Sequence, residues 1–387
     1  MSEAKKTKVK NGIVQRGKKW AYVLRIPDPL TGKTKPVWVS GFDSEKSAKV
    51  ARDKARVALS NRDYVAPTKT TVGDFLTTWI ELHARHIRPT TLNGYRKIIK
   101  NYLIPGLGVI KLQDIRPTHI EAFYSDLLIK PGVSGKNLSP TTVVRCGALL
   151  KKAFKYAVEV EGLLSFNPVS RVAMPKTRPS TPTPWTMSEL NVFLKACTEH
   201  RLGFFFRLSA FTGARRGELL ALRWSDFDGK TITISKSRTD INGAVIEQNT
   251  TKGGNNGQRR VSLDTDTIEL LKAHADRQAD DIKKAGNYWE ETGYIFVQES
   301  GLPLYPTTVT SLFNKIAKGA GLRPIRLHDL RHIHATELLR LGEPLHVVAE
   351  RLGHRDAMVT ATIYAHVSNE QGETASSRFA NAVREAS

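Results

Sequence analysis

The first sixth of the chain has the pattern of a small α+β module. β-forming residues fill 20–26 and 37–39, on either side of a turn rich in proline and glycine at 27–32. Two such runs separated by turn residues predict the strands of a hairpin. Ser44 follows the second run and can cap a helix that continues to about Leu59.

Between residues 71 and 174 the apolar residues recur at helical spacing, which predicts an all-helical domain. Leu150, Phe154 and Ala157, for example, would lie on one buried helix face. Residues 65–70 have the composition of a linker that leads into this domain. Helix starts are predicted at Thr71 with Asp74, at Thr90 or Thr91, at Thr118 with Glu121, and at Ser139 before Pro140.

A second change of composition separates this domain from the rest of the chain. Prolines alternate with Lys, Arg, Ser and Thr in 175–184, and such a segment stays extended, so we place the main hinge there. Thr186 with Glu189 predicts the next helix start. Strands are predicted at 231–235, 243–248 and 260–263.

The length of the chain supports this division. Its 387 residues exceed what one ordinary core accommodates. The expected fold class is therefore multidomain. It combines a small α+β module at 1–64, an all-α domain at 71–174, and a mixed, mainly α domain with a small antiparallel sheet at 185–387.

The net charge of the chain indicates which class of partner it binds. The chain has 59 Lys and Arg residues against 37 Asp and Glu, a formal net charge of +22, and residues 1–64 hold 16 of the former and 6 of the latter. This excess indicates a polyanion, although a membrane surface, a ribosome and DNA all fit the charge alone. Basic side chains concentrated beside a small sheet favour nucleic-acid phosphates over a merely solvated face. The candidate contacts are Lys18, Lys19, Arg25, Lys46, Lys49 and Arg52, of which the last three are expected on the outer face of the predicted helix.

Cysteine usage and hydropathy indicate the compartment. Cys146 and Cys197 lie in separate apolar stretches, so neither a disulfide framework nor a cysteine-ligated zinc site is expected. Residues 1–10 are polar and basic, and the most apolar stretch, 202–211, is short and broken by Arg207. We therefore expect no membrane span and a cytoplasmic protein.

Three polar clusters in the last domain carry candidate chemistry. In the first, Gly213 can end one helix, and the next helix places Arg215 in its first turn, where backbone N–H groups also attract an anion. Arg215 and Glu218 are three residues apart on one face, so a plain ion pair is the alternative.

The second cluster has the sequence RLHDLRH at 326–332 and places His328 and Arg331 on one helical face. His328 and His332 also have the spacing of a zinc-binding pair, with Asp329 beside them. Because Arg331 would repel a dication and no third ligand is evident, we expect no metal.

The third cluster is LGHR at 352–355, which contains His354 and precedes Tyr364. Singly, such a histidine is usually a helix-end cap and such a tyrosine a core residue. Lys252 lies in a glycine-rich segment, 251–257, between two predicted strands, which is normally just the tip of a hairpin.

In their order along the chain, six of these residues resemble the active-site signature of the tyrosine recombinases, the phage integrase family. They are Arg215, Lys252, His328, Arg331, His354 and Tyr364. The match consists of TGARRGE, a strand-borne lysine, HDLRH, LGH, and a tyrosine ten residues after that histidine. It covers 186–370 by motif, while the two earlier domains resemble the family's arm-binding and core-binding (SAM-like) domains by layout. Lys236 lies near the same hairpin and is the alternative to Lys252.

The resemblance implies a site-specific recombinase that cleaves and rejoins DNA through a 3′-phosphotyrosyl intermediate, to integrate or excise a phage, plasmid or transposon. Arg215 and Arg331 suit a clamp on the non-bridging phosphate oxygens, because guanidinium groups are planar and always charged. Tyr364 would be the nucleophile, and Lys252 would protonate the departing deoxyribose oxygen.

The remaining site residues take supporting roles in this scheme. His328 would act as base or orienting group, and His354 would donate a hydrogen bond to the phosphate. Glu218 and Asp329 would hold the arginines and the histidine. No cofactor is expected, because side chains supply the cations and the protein–DNA ester conserves the bond energy.

Family behaviour implies partners as well. Double-stranded DNA with core and arm attachment sites, a homotetramer on that DNA, a host DNA-bending factor and an excisionase are expected, with nucleoid association in the bound state. An apolar stripe at 374–384 would dock on a neighbouring protomer. The alternatives are DNA relaxation of the type IB topoisomerase kind and a DNA-binding regulator without catalysis.

Overall fold

The computed structural model describes residues 11–27, 33–61, 64–130, 135, 137–177, 183–249, 258–353 and 383–385. The chain divides into two compact units, Met1–Pro179 and Ser180–Ser387. The boundary between them falls within the proline-rich segment 175–184. Within the described ranges, no helix combines the length and the apolar character that crossing a membrane requires.

The first unit opens with a three-stranded antiparallel sheet packed against a helix. The strands are β1 (Ile13–Arg16), β2 (Lys19–Pro27) and β3 (Thr34–Phe42), in the order β1-β2-β3, and the helix is α1 (Glu45–Ser60). The predicted hairpin and the predicted Ser44 cap are confirmed, since the Ser44 side chain accepts from the backbone N–H of Ser47. β1 was not predicted, because a strand of four residues is too short to show alternation.

Five α-helices follow in the described residues of the first unit. They are α2 (Val72–His83), α3 (Pro89–Ile98), α4 (Ile104–Leu107), α5 (Pro117–Ile129) and α6 (Pro140–Glu159). The capping box of Thr71 with Asp74 and the Ser139 cap before Pro140 are confirmed. The predicted starts at Thr90 or Thr91 and at Thr118 are wrong by one or two residues. In both cases a proline takes the first helical position, where its missing N–H costs nothing.

These helices enclose their own core, which contains none of the residues of the β-sheet module. Trp79, Leu103, Ile120 and Phe154 are almost fully buried within it. The predicted stripe through Leu150, Phe154 and Ala157 lies in this core and is confirmed.

Up to residue 353, the described part of the second unit contains seven α-helices and four strands. The helices are α7 (Met187–Cys197), α8 (Gly203–Thr212), α9 (Arg216–Leu219), α10 (Thr265–Ala285), α11 (Pro306–Gly319), α12 (Asp329–Arg340) and α13 (Leu345–Leu352). The strands are β4 (Thr231–Ile234), β5 (Ser237–Ile241), β6 (Ala244–Gln248) and β7 (Arg259–Ser262). The capping box of Thr186 with Glu189 begins α7 as predicted.

The strands do not form the single small sheet that was expected. β4 pairs with β7, and β5 pairs with β6, each pair being antiparallel. β5 was missed because its sequence is polar, although the turn Asn242-Gly243, with both residues at positive φ, is a strong hairpin signal. The segment between β6 and β7 therefore connects strands of two different sheets. It is not the tip of a hairpin formed by β6 and β7.

An aromatic cluster fixes α8 at the centre of this unit. Phe205 and Phe206 of α8 are fully buried, and the ring of Phe206 contacts those of Phe193 and Phe313 at centroid distances of 5.5 and 5.9 Å. Such contacts resist displacement because a packed interior leaves few alternative positions. The C-terminal end of α8 is thereby held in place, and the first polar cluster begins there.

Candidate active site

Gly213 ends α8 and directs the chain toward Arg215. Its φ of 62° is left-handed, and its N–H donates to the carbonyl of Ser209 at 3.1 Å. A Cβ at this position would lie 2.6 Å from the Leu352 side chain, so glycine is required for both conformation and space. Arg215, predicted in the first turn of the next helix, is the N-cap residue of α9 and so lies just before that turn.

Glu218 holds Arg215 through both its backbone and its side chain. The Glu218 carboxylate accepts from the Arg215 backbone N–H at 2.9 Å and from its Nη1 at 2.7 Å. It also accepts from Nη2 of Arg259 at 2.8 Å. Burial raises the pKa of this carboxyl, but the charges and hydrogen bonds of Arg259 and Arg215 outweigh burial and leave the pKa below its ordinary value. Glu218 is therefore ionised and shared by two arginines.

Arg331 lies in the first turn of α12 and connects the ends of two other helices. Its Nη1 donates to the carbonyl of Gly213 at 2.8 Å, and its Nη2 donates to that of Leu352 at 2.7 Å. Both carbonyls belong to helix C-termini, where partial negative charge accumulates and a cation is favoured. Arg331 is thus fixed to Gly213, which precedes Arg215 by two residues in the chain.

His328 precedes α12 and is the N-cap residue of that helix. The helical face that His328 and Arg331 were predicted to share therefore begins at the start of α12. The pKa of His328 is lowered to about 4, first by partial burial of the ring and then by the charges of His332, Arg331 and Arg215. Its imidazole is therefore neutral at pH 7. The structure brings Arg215, His328 and Arg331 together around Gly213.

Asp329 has a different partner from the expected ones. Its carboxylate accepts from the backbone N–H of Arg326 at 2.8 Å and from its Nη2 at 2.7 Å. Asp329 was expected to hold the arginines and the histidine of the site, and its hydrogen bonds instead join the first turn of α12 to Arg326, three residues before it. The His328 and His332 rings meet edge to face, with centroids 5.3 Å apart. In the described part of the chain, no group of three potential ligands surrounds a metal position.

Three predicted site residues, Lys252, His354 and Tyr364, lie outside the described residues, as does most of the predicted docking segment 374–384. The alternative lysine is described. Lys236 lies 3.7 Å from the Glu247 carboxylate, which also accepts from the hydroxyl of Tyr294.

Basic residues of the first module divide into two groups. Lys18, Lys19, Arg25, Lys46 and Lys49 are exposed, and Lys19 pairs with Asp43. Arg52 does not lie on the outer face of α1 as expected. It is buried against the sheet, where its guanidinium donates to the carbonyl of Asn11 and to Asp53. The helical period places Arg52 next to Ala48, whose face packs on the strands.

Arg259 is a residue of this site that the sequence analysis missed. It belongs to β7, whose residues are alternately buried and exposed, so that Arg259 and Val261 face inward while Arg260 faces outward. Successive side chains of a strand point to opposite faces, so one of these two adjacent arginines had to face inward. That alternation is the signal in the sequence from which a buried arginine could have been predicted.

Comparison with known proteins agrees with this arrangement. The model of the phage integrase family matches residues 184–371, and that of the phage integrase N-terminal SAM-like domain matches residues 71–128. A XerC-like tyrosine recombinase of Caldanaerobacter subterraneus is 31% identical over 355 residues, which cover 85% of this chain and 87% of the relative. The ICEBs1 integrase of Bacillus subtilis is 29% identical over 359 residues, covering 90% and 93%.

Solved structures have the same fold. The Tn1549 transposon integrase in complex with a circular intermediate DNA superposes with a TM-score of 0.65 at 18% identity, covering 80% of this chain and 99% of that one. A lambda integrase tetramer bound to a Holliday junction gives a TM-score of 0.57 at 20% identity, covering 92% and 95%.

The chain therefore belongs to the phage integrase family of tyrosine recombinases. It is a site-specific DNA recombinase of the integrase class, and DNA is its substrate.

Proposed function

We propose that this recombinase cleaves one DNA strand with Tyr364 while Arg215 and Arg331 bind the scissile phosphate. The observation that carries the proposal is the convergence of Arg215, His328 and Arg331 around the Gly213 turn. Planar cations fixed in advance stabilise the charge that grows on the non-bridging oxygens during phosphoryl transfer. Two of the five N–H donors of Arg331 bind the carbonyls of Gly213 and Leu352. These two hydrogen bonds set the orientation of the planar guanidinium group.

The cleavage step is a transesterification. The Tyr364 hydroxyl attacks phosphorus, the bond to the 5′ oxygen breaks, and the 3′ phosphate becomes linked to the tyrosine. The tyrosine proton passes to His328, whose neutral ring at pH 7 can accept it. Lys252 protonates the leaving 5′ oxygen, and His354 donates a hydrogen bond to the phosphate. The reverse reaction with another 5′ hydroxyl rejoins the strand without ATP.

Lys236 is less suited than Lys252 to the role of general acid. Its ammonium group lies 3.7 Å from the Glu247 carboxylate, which also accepts from the hydroxyl of Tyr294, so Lys236 is held in an ion pair beside its own strands. A general acid has to reach the leaving oxygen, and this ion pair holds Lys236 back from it.

The three predicted domains would bind different parts of the DNA. The module at 1–64 would bind arm sites through its exposed basic side chains, and the domains at 71–174 and 185–387 would enclose the core site. Lys18, Lys19, Arg25, Lys46 and Lys49 remain the proposed phosphate contacts, whereas Arg52 serves the core of its own module. A homotetramer on two DNA segments, assisted by a host bending factor and an excisionase, would exchange the strands.

A nicked suicide duplex tests the chemistry. It carries the core sequence, mapped beforehand by nuclease protection on the DNA flanking the gene, and the nick lets the leaving strand diffuse away so that the adduct accumulates. The wild-type chain should give a slower band in denaturing electrophoresis, with or without EDTA. Tyr364→Phe should remove the band and keep DNA binding, whereas Tyr288→Phe, a change at an exposed tyrosine, should keep both. Persistence of the band in Tyr364→Phe would show that another residue is the nucleophile.

A further inference from the structure

Arg259 and Arg215 bind the same buried carboxylate. The Glu218 side chain is 1% exposed, that of Arg259 is 3% exposed, and that of Arg215 is 22% exposed. The two guanidinium groups reach Glu218 at 2.7 and 2.8 Å. Of the three charged groups, only Arg215 retains an appreciable surface from which to contact a ligand.

The positive and negative charges of Arg215, Glu218 and Arg259 do not balance. Arg215 and Glu218 alone would form a neutral pair, and the carboxylate would cancel much of the attraction of Arg215 for a phosphate. With Arg259 present, two cations share one anion, and one positive charge remains in excess. A buried carboxylate that loses one of its partners is also strongly disfavoured.

Arg259 additionally fixes the end of α13. Its Nε donates to the carbonyl of Arg351 at 2.7 Å, beside the Leu352 carbonyl that accepts from Arg331. The guanidinium lies so close to Gly353 that a Cβ there would be 2.8 Å from Nη1. His354 is the next residue of the chain, and β7 itself follows the segment that contains Lys252. One side chain therefore binds both the carboxylate that holds Arg215 and the helix end that precedes His354 in the chain.

We propose that Arg259 is a positioning residue of the recombinase. It neutralises Glu218 and anchors the end of α13, so that Arg215 is held in place and its positive charge remains for the scissile phosphate. The proposal rests on the function proposed above and assigns a role to a residue that touches no substrate itself.

The test compares Arg259→Met and Arg259→Lys with the wild-type chain on the nicked duplex, with either the ordinary phosphate or a neutral methylphosphonate at the scissile position. Arg201→Met is the matched control. Its guanidinium binds Asp281 at 2.9 Å and the carbonyls of Val297 and Gln298, so it makes similar contacts without touching Glu218. Cleavage rate in a single turnover, DNA affinity and thermal midpoint are measured for each variant.

On the ordinary phosphate, Arg259→Met should slow cleavage by about ten- to a hundredfold, the range expected for one charge-assisted hydrogen bond. Arg259→Lys should recover part of the rate because it keeps the charge but cannot reach both acceptors. The loss should shrink on the methylphosphonate, where less charge has to be bound. If Arg259→Met fails to fold, the lysine variant provides the same comparison of the two substrates.

Two results would overturn the proposal. One is an equal loss on both substrates, and the other is the same loss in Arg201→Met, since either would mark a general effect on folding. If the wild-type chain itself forms no adduct, the proposed function fails and this role fails with it. Cleavage by the wild-type chain therefore distinguishes failure of the proposed function from failure of the role proposed for Arg259.

Discussion

Several histidines of the second unit lie where protonation is disfavoured. Burial, followed by the charge of Arg351, lowers the pKa of His334 to about 3. The Arg351 Nε donates to Nε2 of His334 at 3.1 Å, and a protonated ring could not accept this bond. His328 has a lowered pKa for similar reasons, and in the proposed mechanism its neutral ring accepts the proton of the tyrosine.

These shifts predict that acid destabilises the second unit. An unfolded imidazole titrates near about pH 6.5, whereas folded His334 titrates at about 3, so between these values the unfolded chain binds more protons. Stability should then fall with falling pH, by about 1.4 kcal/mol per pH unit for this one group. Urea unfolding of His334→Gln between about pH 7 and about pH 4.5 should show a flatter dependence. His346→Gln, a change at an exposed residue of α13, is the control, and an equally steep curve for both variants would contradict the assignment.

At the scale of elements, the site depends on where helices end. α8 ends at Gly213 and α13 ends at Gly353, both in left-handed conformation, and their last carbonyls point toward arginine side chains. Helix C-termini attract cations, so the two ends fix Arg331 in one orientation. The described part of the site is therefore assembled from helix ends that meet, and Arg331 in the first turn of α12 binds both of them.

Gly213→Ala should be more damaging than a typical glycine substitution. Alanine pays the conformational cost of φ 62° and also overlaps Leu352 and His334, at 2.6 and 2.9 Å. A loss of about 2–4 kcal/mol in the free energy of unfolding is expected, from about 1–2 kcal/mol of backbone strain and the rest from overpacking. Gly321→Ala is the control, since φ is 70° there but nothing lies within 4 Å of the added Cβ. Equal losses in the two variants, measured by urea unfolding, would mean that the overlap is relieved at no cost.

For the whole molecule, charge is distributed unevenly along the chain. Residues 1–64 carry a net charge of +10 out of +22. The β-sheet module also has its own small core, formed by Ile13, Tyr22, Leu24 and Ala48. Its removal should therefore leave the cores of the helical domain and of the second unit intact.

A chain that begins at residue 65 should bind DNA with a weaker dependence on salt. Each phosphate contact that is lost reduces the slope of log K against log salt concentration by about 0.9. The slope can be measured by fluorescence anisotropy with labelled duplexes, and formation of the covalent adduct on core DNA should persist. An unchanged slope would mean that the module makes no phosphate contacts.

Local signals in the sequence were sufficient for most helix caps and for the Gly213 turn. They were misleading where a competing local rule applied. Prolines moved the starts of α3 and α5, and the helical period turned Arg52 inward. The strand pairing was also wrong, because register depends on partners that are distant in the chain.

By itself, the sequence determined the family and most of the helix starts, since each depends on residues a few positions apart. Only the tertiary structure decided which charges meet. Glu218 and Arg259 are 41 residues apart, and Arg331 and Gly213 are 118 apart, yet both pairs form hydrogen bonds in the buried interior. The physical reason is that an ion pair is selected by shared burial, and burial is a property of the packed core.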